Sequence, residues 1–220
     1  MTDIDSRYLP RLVLTHGLKY SGKSTLADHL CEVHGYTRVK MAGPLKNMCR
    51  SLLRDAGVDE EMIERHVEGD LKEVPIPQMS GRTCRQLMQT LGDEWRRMQS
   101  DDFWINIAEG KVNQVLQAGG RVVIDDIRYA NEFCRFGVFN PLTLVITRGD
   151  LHFQPFGEDR HPGERPLPVG MFDAHLRNDF ETKQELWDLA DGILAAWTSY
   201  RAGLSSLGVT GKPAATLMAA

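Results

Sequence analysis

Gly17-Leu-Lys-Tyr-Ser-Gly22-Lys23-Ser24 joins a short apolar run to a helix-like segment. It fits the pattern G-x-x-x-x-G-K-[ST], and its flanks are those the pattern requires. Residues 11–16, Arg-Leu-Val-Leu-Thr-His, are a short apolar β run that meets Gly17. Residues 23–34 then read as a helix, with Leu26, Leu30 and Val33 spaced for one buried face. Glycines let such a loop turn tightly, so that successive backbone N–H groups point inward at an anion. The helix N-terminus adds partial positive charge. Lys23 is placed to reach the β- and γ-phosphates of a nucleoside triphosphate, and the Ser24 hydroxyl to ligate Mg²⁺. Gly17, Ser21, Gly22, Lys23, Ser24 and Thr25 are therefore the expected ATP-binding set.

Outward from this loop, short β-like runs alternate with helix-like segments. Residues 36–41 alternate at period two and read as a second strand, followed by Gly43-Pro44 and a helix over 45–56. Asp59 is placed to cap a helix over 59–67. Residues 69–82 form a polar connection bearing Pro75 and Pro77. Thr83 opens the next helix with Gln86 three residues on, a capping-box arrangement, and Gly92 is expected to end it. A longer helix starts at Asp101 or Asp102 and stops at Gly119-Gly120. Residues 121–125 and 142–146 read as third and fourth strands, 174–177 as a short fifth, and 181–200 as a terminal helix. Such alternation predicts an α/β fold with a parallel sheet covered on both faces.

Composition narrows the function. The 220 residues are 42% hydrophobic and 25% charged, as in ordinary globular chains rather than disordered ones. With 26 Lys plus Arg against 30 Asp plus Glu, the net charge of −4 argues against coating nucleic acid through bulk charge. No apolar run approaches the roughly 20 residues of a membrane span, and the acidic N-terminus has no signal-peptide core; a cytoplasmic location follows as the expectation. Cys31, Cys49, Cys84 and Cys134 form no Cys-x-x-Cys pair, which predicts reduced, mostly buried thiols. The seven histidines show no metal-ligand spacing.

Asp125-Asp126, at the end of the third strand, supplies a carboxylate for the metal side of the nucleotide site; either serves, and Asp126 is favoured. The chain lacks the Asn-Lys-x-Asp element of GTP switches. Cations instead gather after the second and third strands. Lys46, Arg50 and Arg54 recur every four residues, Arg82 and Arg85 flank the Thr83 helix start, and Arg128 follows Asp126. A basic first turn opposes the helix dipole, and makes sense if an anion is clamped there.

Met41-Ala-Gly-Pro-Leu-Lys46, Gly81-Arg-Thr-Cys-Arg85-Gln-Leu-Met-Gln89-Thr-Leu-Gly92-Asp-Glu-Trp95-Arg96, Asp102-Phe-Trp104 and Val123-Ile-Asp-Asp126-Ile-Arg128-Tyr-Ala-Asn131-Glu132 together resemble the bacteriophage deoxynucleoside monophosphate kinases, over about residues 11–200. The resemblance implies a three-layer α/β/α phosphate-loop fold with a five-stranded parallel sheet, and ATP γ-phosphoryl transfer to a deoxynucleoside 5′-monophosphate. It implies one kinase domain over 1–200, with a monophosphate-binding insert at about 43–118, a lid at about 149–170 and a flexible tail at 201–220. Lys46, Arg82 and Arg85 are then expected at the acceptor phosphate, Gln89 at a base edge, Asp126 and Trp95 in the substrate site, Trp95 and Trp104 being family aromatics that either stack on the base or pack in the core, Arg128 between the phosphates, and Arg148 reaching from the lid; Arg160, His161 and Arg165 lie in the same lid segment. The chain departs from the family pattern at Asp125, where a small residue is usual, and at Cys84, where proline is common. Nothing in the sequence reads a missing 2′-hydroxyl, so deoxyribose is implied by resemblance alone. A homodimer is the family-level expectation; no polymer or membrane partner is expected.

Three other functions fit the phosphate loop. They are another small-molecule kinase such as a dephospho-coenzyme A kinase, an ATP-gated binding module without transfer, and a polynucleotide 5′-kinase. The last needs a general base for a hydroxyl acceptor. A monophosphate acceptor does not, since its second pKa is about 6.

Overall fold

A computed structural model describes residues 4–150 and 165–206. Strands β1 (Leu12–His16), β2 (Tyr36–Arg38), β5 (Arg121–Ile124), β6 (Leu142–Thr147) and β7 (Ala174–Arg177) form one parallel sheet in the order β2-β5-β1-β6-β7. Helices surround it, giving the three-layer α/β/α phosphate-loop kinase fold. Parallel neighbours need crossover helices, and those helices cover the sheet. Every residue of β1 and of β6 is buried accordingly. In the main core, Val13, Leu144 and Ile146 of the sheet pack with Leu26 and Leu30 of α1 (Lys23–His34) and with Leu186, Leu194 and Trp197 of α8 (Lys183–Ser206). Val13 pairs with Val123 on one side and Leu142 on the other, so β1 is central. The chain leaves β1 for one side of the sheet and later returns to build the other. That switch point puts the ligand crevice of such folds at the carboxyl end of β1.

Two compact units can be distinguished. One comprises the described residues of Met1–Val39 and Glu109–Ala220, the other Lys40–Ala108. The second has its own core of Cys49, Leu53, Ile63, Val67, Ile76 and Cys84. Its helices α2 (Gly43–Asp55) and α3 (Glu60–Val67) are joined by a ladder of ion pairs: Lys46–Glu68 at 2.5 Å, Arg50–Glu64 at 2.6 Å and Arg54–Glu60 at 2.6 Å. The four-residue row of cations therefore meets a four-residue row of acids on the neighbouring helix. Lys46, Arg50 and Arg54 are all held in this ladder. Exposed pairs of this kind contribute only ~0–1 kcal/mol each.

Several local expectations hold. The Asp59 carboxylate accepts from the Met62 N–H at 2.9 Å and caps α3. Thr83 and Gln86 form a reciprocal capping box at the start of α4 (Cys84–Thr90). Others do not. The second strand ends at Arg38 rather than 41. Gly92 does not stop its helix, which runs through a π-helical turn, Leu91–Trp95, into α5 (Arg96–Gln99). A glycine stops a helix by turning left-handed, and Gly92 is not among the positive-φ glycines. Instead buried Asp93 pairs with Arg97 at 2.9 Å, and Trp95 packs on Phe103 and Trp104 of α6 (Phe103–Gln117). This packing outweighs the ~1 kcal/mol propensity cost of glycine. The proline-bearing connection contains an antiparallel pair, β3 (Pro75–Ile76) with β4 (Arg82–Thr83). A further helix, α7 (Ala130–Gly137), follows β5. Helix α8 continues to Ser206, so residues 201–206 of the expected tail are helical; 207–220 lie outside the described residues. All four thiols are free, with Cys134 exposed. No helix among the described residues is long and apolar enough to cross a membrane.

Candidate functional site

The phosphate-loop sequence sits between the end of β1 and the start of α1. Two glycines are obligatory there for different reasons. A Cβ on Gly17 would overlap the Ile146 carbonyl oxygen and the Ser21 Oγ. Gly22 has φ +104°, which L side chains rarely adopt, and a Cβ there would meet the Asn178 amide. That amide donates from Nδ2 to the Ser21 carbonyl at 2.8 Å and braces the loop from the end of β7. Lys23 is turned onto the loop, its Nζ donating to the Leu18 carbonyl at 2.6 Å, with the Ser21 Oγ at 3.4 Å. Burial, then the Arg128 charge, pushes the Lys23 ammonium down to about 8, against the pull of Asp125 and Asp126. A polyphosphate is the kind of ligand that restores such a cation to full charge. Thr25 offers its carbonyl to the Trp187 indole N–H at 3.4 Å.

The Ser24 hydroxyl donates to Asp125 Oδ2 at 3.4 Å. Arg38, from β2, is ion-paired with the same carboxylate, and Asp125 Oδ1 is buried with no hydrogen-bond partner among the described residues. A buried, unsatisfied carboxylate oxygen beside a serine hydroxyl is a donor set of hard oxygens. Such a set fits Mg²⁺, which takes one or two carboxylates and completes its shell with phosphates and water. Asp126, favoured from sequence, is half-buried and acts on Lys23 through its charge.

Arg128 is exposed, and its backbone is fixed by a buried acid. Glu132 Oε2 accepts from the N–H groups of Arg128 at 2.7 Å and Tyr129 at 3.1 Å. Burial pushes the Glu132 carboxyl up to about 7, against those two hydrogen bonds. An unfolded glutamate loses its proton near 4.5, the folded one near 7. Between these values the folded state binds the extra proton, so this group's contribution to stability falls as pH rises through the window and is level above it. Glu132→Gln, a mimic of the neutral acid, is expected to lack that fall. Urea midpoints at pH 5 and pH 7.5 check this: the variant should gain on the wild type at the higher pH. Parallel profiles would mean that Glu132 is ionised in the fold throughout.

In the second unit, Arg85 lies in the first turn of α4, half-buried, with Nη1 3.3 Å from Glu73 Oε1. Burial, then the Lys46 charge and more weakly Arg85, pushes the Lys72 ammonium below its ordinary value, with Glu68 opposing. Lys46 and Arg85 are thus close enough to Lys72 to disfavour its charge, and the three form one group of cations. Lys72 was not singled out from sequence; it lies in the polar connection, and only the fold places it by the others. Arg82 is exposed on β4, Gln89 is half-buried on α4, and Trp95 belongs to the aromatic cluster with Phe103 and Trp104.

After β6, Arg148 is exposed, and Asp179 is held below the usual carboxylate range by the Gly149 N–H at 2.6 Å and by Arg177, with Arg148 adding its charge. Arg165 is described and exposed; Arg160 and His161 lie outside the described residues. His16, at the end of β1, accepts at Nε2 from the Leu167 N–H at 2.9 Å, so its Nδ1 donates to the Ile127 carbonyl at 2.8 Å. His16 therefore ties the segment after β5 to residue 167. Neither this histidine nor Asn178 carries a sequence signal, because each acts on a segment distant in the chain.

No family model matches the sequence. A protein of Acanthamoeba polyphaga mimivirus, named "Putative deoxynucleotide monophosphate kinase", is 27% identical over 178 residues, which cover 74% of this chain and 86% of the viral protein.

Proposed function

We propose that this protein is a kinase that transfers the γ-phosphoryl group of ATP to a deoxynucleoside 5′-monophosphate, and that it belongs with the deoxynucleoside monophosphate kinases its motifs resemble. The observation that carries the reading is a second group of cations, Lys46, Lys72 and Arg85, in a chain that also has a phosphate loop. An ATP-gated module needs the loop alone; a monophosphate kinase needs cations for a second anion. The name of the viral relative supports the same reading.

In this reading the first unit takes ATP. The loop amides from Gly17 to Thr25 and the Lys23 ammonium hold the phosphates. Ser24 and Asp125, with Asp126 nearby, hold Mg²⁺, which neutralises charge on the β- and γ-phosphates when bound. Lys46, Arg82 and Arg85 take the acceptor phosphate together with Lys72, and Gln89 and Trp95 face the base. Arg128 and Arg148 stabilise charge on the transferring group. The acceptor oxygen is already ionised near neutral pH, its pKa being about 6. The residues therefore have only to counter repulsion between two polyanions and align them. The protein would act as one catalytic domain in the cytoplasm, on free nucleotides, as a homodimer.

A panel of acceptors tests this. The protein, ATP and Mg²⁺ are incubated with each of the eight common nucleoside monophosphates and with dephospho-coenzyme A. Diphosphate formed from at least one deoxynucleotide, in excess over its ribose counterpart, is expected. Product from dephospho-coenzyme A alone would assign the rival activity.

A further inference from the structure

We propose that His29, His34 and Asp191 form a binding site for a divalent transition metal of the zinc class. His29 and His34 are on α1 and Asp191 is on α8. Each imidazole Nε2 lies 2.8 Å from the same Asp191 Oδ1. One ligand atom from each of the three residues falls within 4.8 Å of the other two. The His29 and His34 side chains are only 7% and 10% exposed, while Asp191 is 29% exposed.

The rings are locked before any metal arrives. His29 stacks on Trp187 at 5.2 Å with an interplanar angle of 8°, and His34 stands edge-on to His29 at 5.4 Å. Zinc binds imidazole nitrogen and carboxylate oxygen at about 2.0–2.2 Å, so tetrahedral ligands stand roughly 3.3 Å apart. The nitrogen–oxygen separations therefore need to open by about half an ångström, and the two imidazoles, whose ligand atoms lie within 4.8 Å of each other, need to settle at the same spacing. Three protein ligands with one position left for water is an ordinary zinc arrangement. Two imidazoles and one carboxylate select Zn²⁺, Co²⁺, Ni²⁺ or Cu²⁺ over Mg²⁺, which prefers oxygen alone. The Mg²⁺ that accompanies ATP would not compete.

The ion would clamp the carboxyl end of α1 to α8; the amino end of α1 opens the phosphate loop. Sequence spacing concealed the group. The histidines stand five positions apart on α1, which is not a ligand spacing on one helix face, and the carboxylate comes 157 residues after His34. The inference does not depend on the proposed kinase activity.

Calorimetric titration of Zn²⁺ into the full-length, metal-free protein without nucleotide tests it. One Zn²⁺ per chain is expected, retained in millimolar Mg²⁺. At a hundredfold excess over Kd it should raise the melting temperature by about 5 °C. Co²⁺ in its place should give visible ligand-field bands. His34→Gln and Asp191→Asn should each weaken uptake at least about tenfold, whereas Asp125→Asn should not. If His34→Gln fails to fold, Asp191→Asn decides, since it keeps the shape of the side chain. No stoichiometric uptake, or uptake unchanged in the folded variants, would overturn the proposal and leave the trio a hydrogen-bonded clamp.

Discussion

Lys23→Ala is expected to lower kcat/KM for phosphoryl transfer by about 10³-fold or more and yet to leave the protein folded and no less stable at pH 7. The two halves of this result have one cause. The ammonium is 2.6 Å from the Leu18 carbonyl, in a place where burial and Arg128 depress its pKa to about 8. Folding therefore carries the cost of holding a charge that the unfolded chain holds freely. For a lysine lowered in this way, stability rises as pH climbs through the window from about 8 to 10.5, so below it the folded state is burdened. Alanine removes the burden together with the ammonium that lies against the Leu18 carbonyl of the loop. Steady-state kinetics and a thermal melt at pH 7 check both halves. Normal turnover would displace Lys23 from the donor site, and a collapse in melting temperature would make it a structural residue.

Arg85→Ala is the second large effect: about a 10²–10³-fold loss of turnover with every accepted monophosphate, with ATP affinity nearly unchanged. The guanidinium is half-buried and its ion pair with Glu73, 3.3 Å away, reaches an exposed partner. Such a pair contributes only ~0–1 kcal/mol to folding, so the loss falls on acceptor binding. Truncation leaves Lys46 and Lys72 without the fork that grips a phosphate with two parallel N–H groups. Arg85→Lys keeps the charge but not the fork, and should recover only part of the activity. Nucleotide binding by calorimetry and kinetics with a series of deoxynucleotides separate these outcomes. Near-normal kinetics in Arg85→Ala would remove the acceptor site from this part of the chain.

What the sequence made legible was local. The Thr83–Gln86 capping box, the Asp59 cap and the loop from Gly17 to Ser24 each lie within a few residues, where chain geometry alone fixes the partners. Short apolar runs, and period-two alternation in the second strand, likewise located the five strands of the sheet. The rest depends on partners brought together by the fold. Arg38 meets Asp125 across 87 residues, His16 meets Leu167 across 151, and Asn178 meets Ser21 across 157. No spacing rule reports such pairs. Arg50 and Arg54 show the complementary difficulty. Their period was readable, but whether a ligand or a row of glutamates faced them was decided by α3. Helix α7 is hidden for a similar reason: its start is set by buried Glu132 reaching back to two backbone N–H groups, and it is only eight residues long.

Group transfer differs from binding and from hydrolysis in the fate of the γ-phosphorus. ATP labelled at the γ-phosphorus is incubated with the protein, Mg²⁺ and the best deoxynucleoside monophosphate, and ADP and labelled products are counted together. One labelled deoxynucleoside diphosphate for each ADP formed is the expected result. ADP accompanied only by labelled inorganic phosphate, or label that stays on ATP with every acceptor, would contradict it.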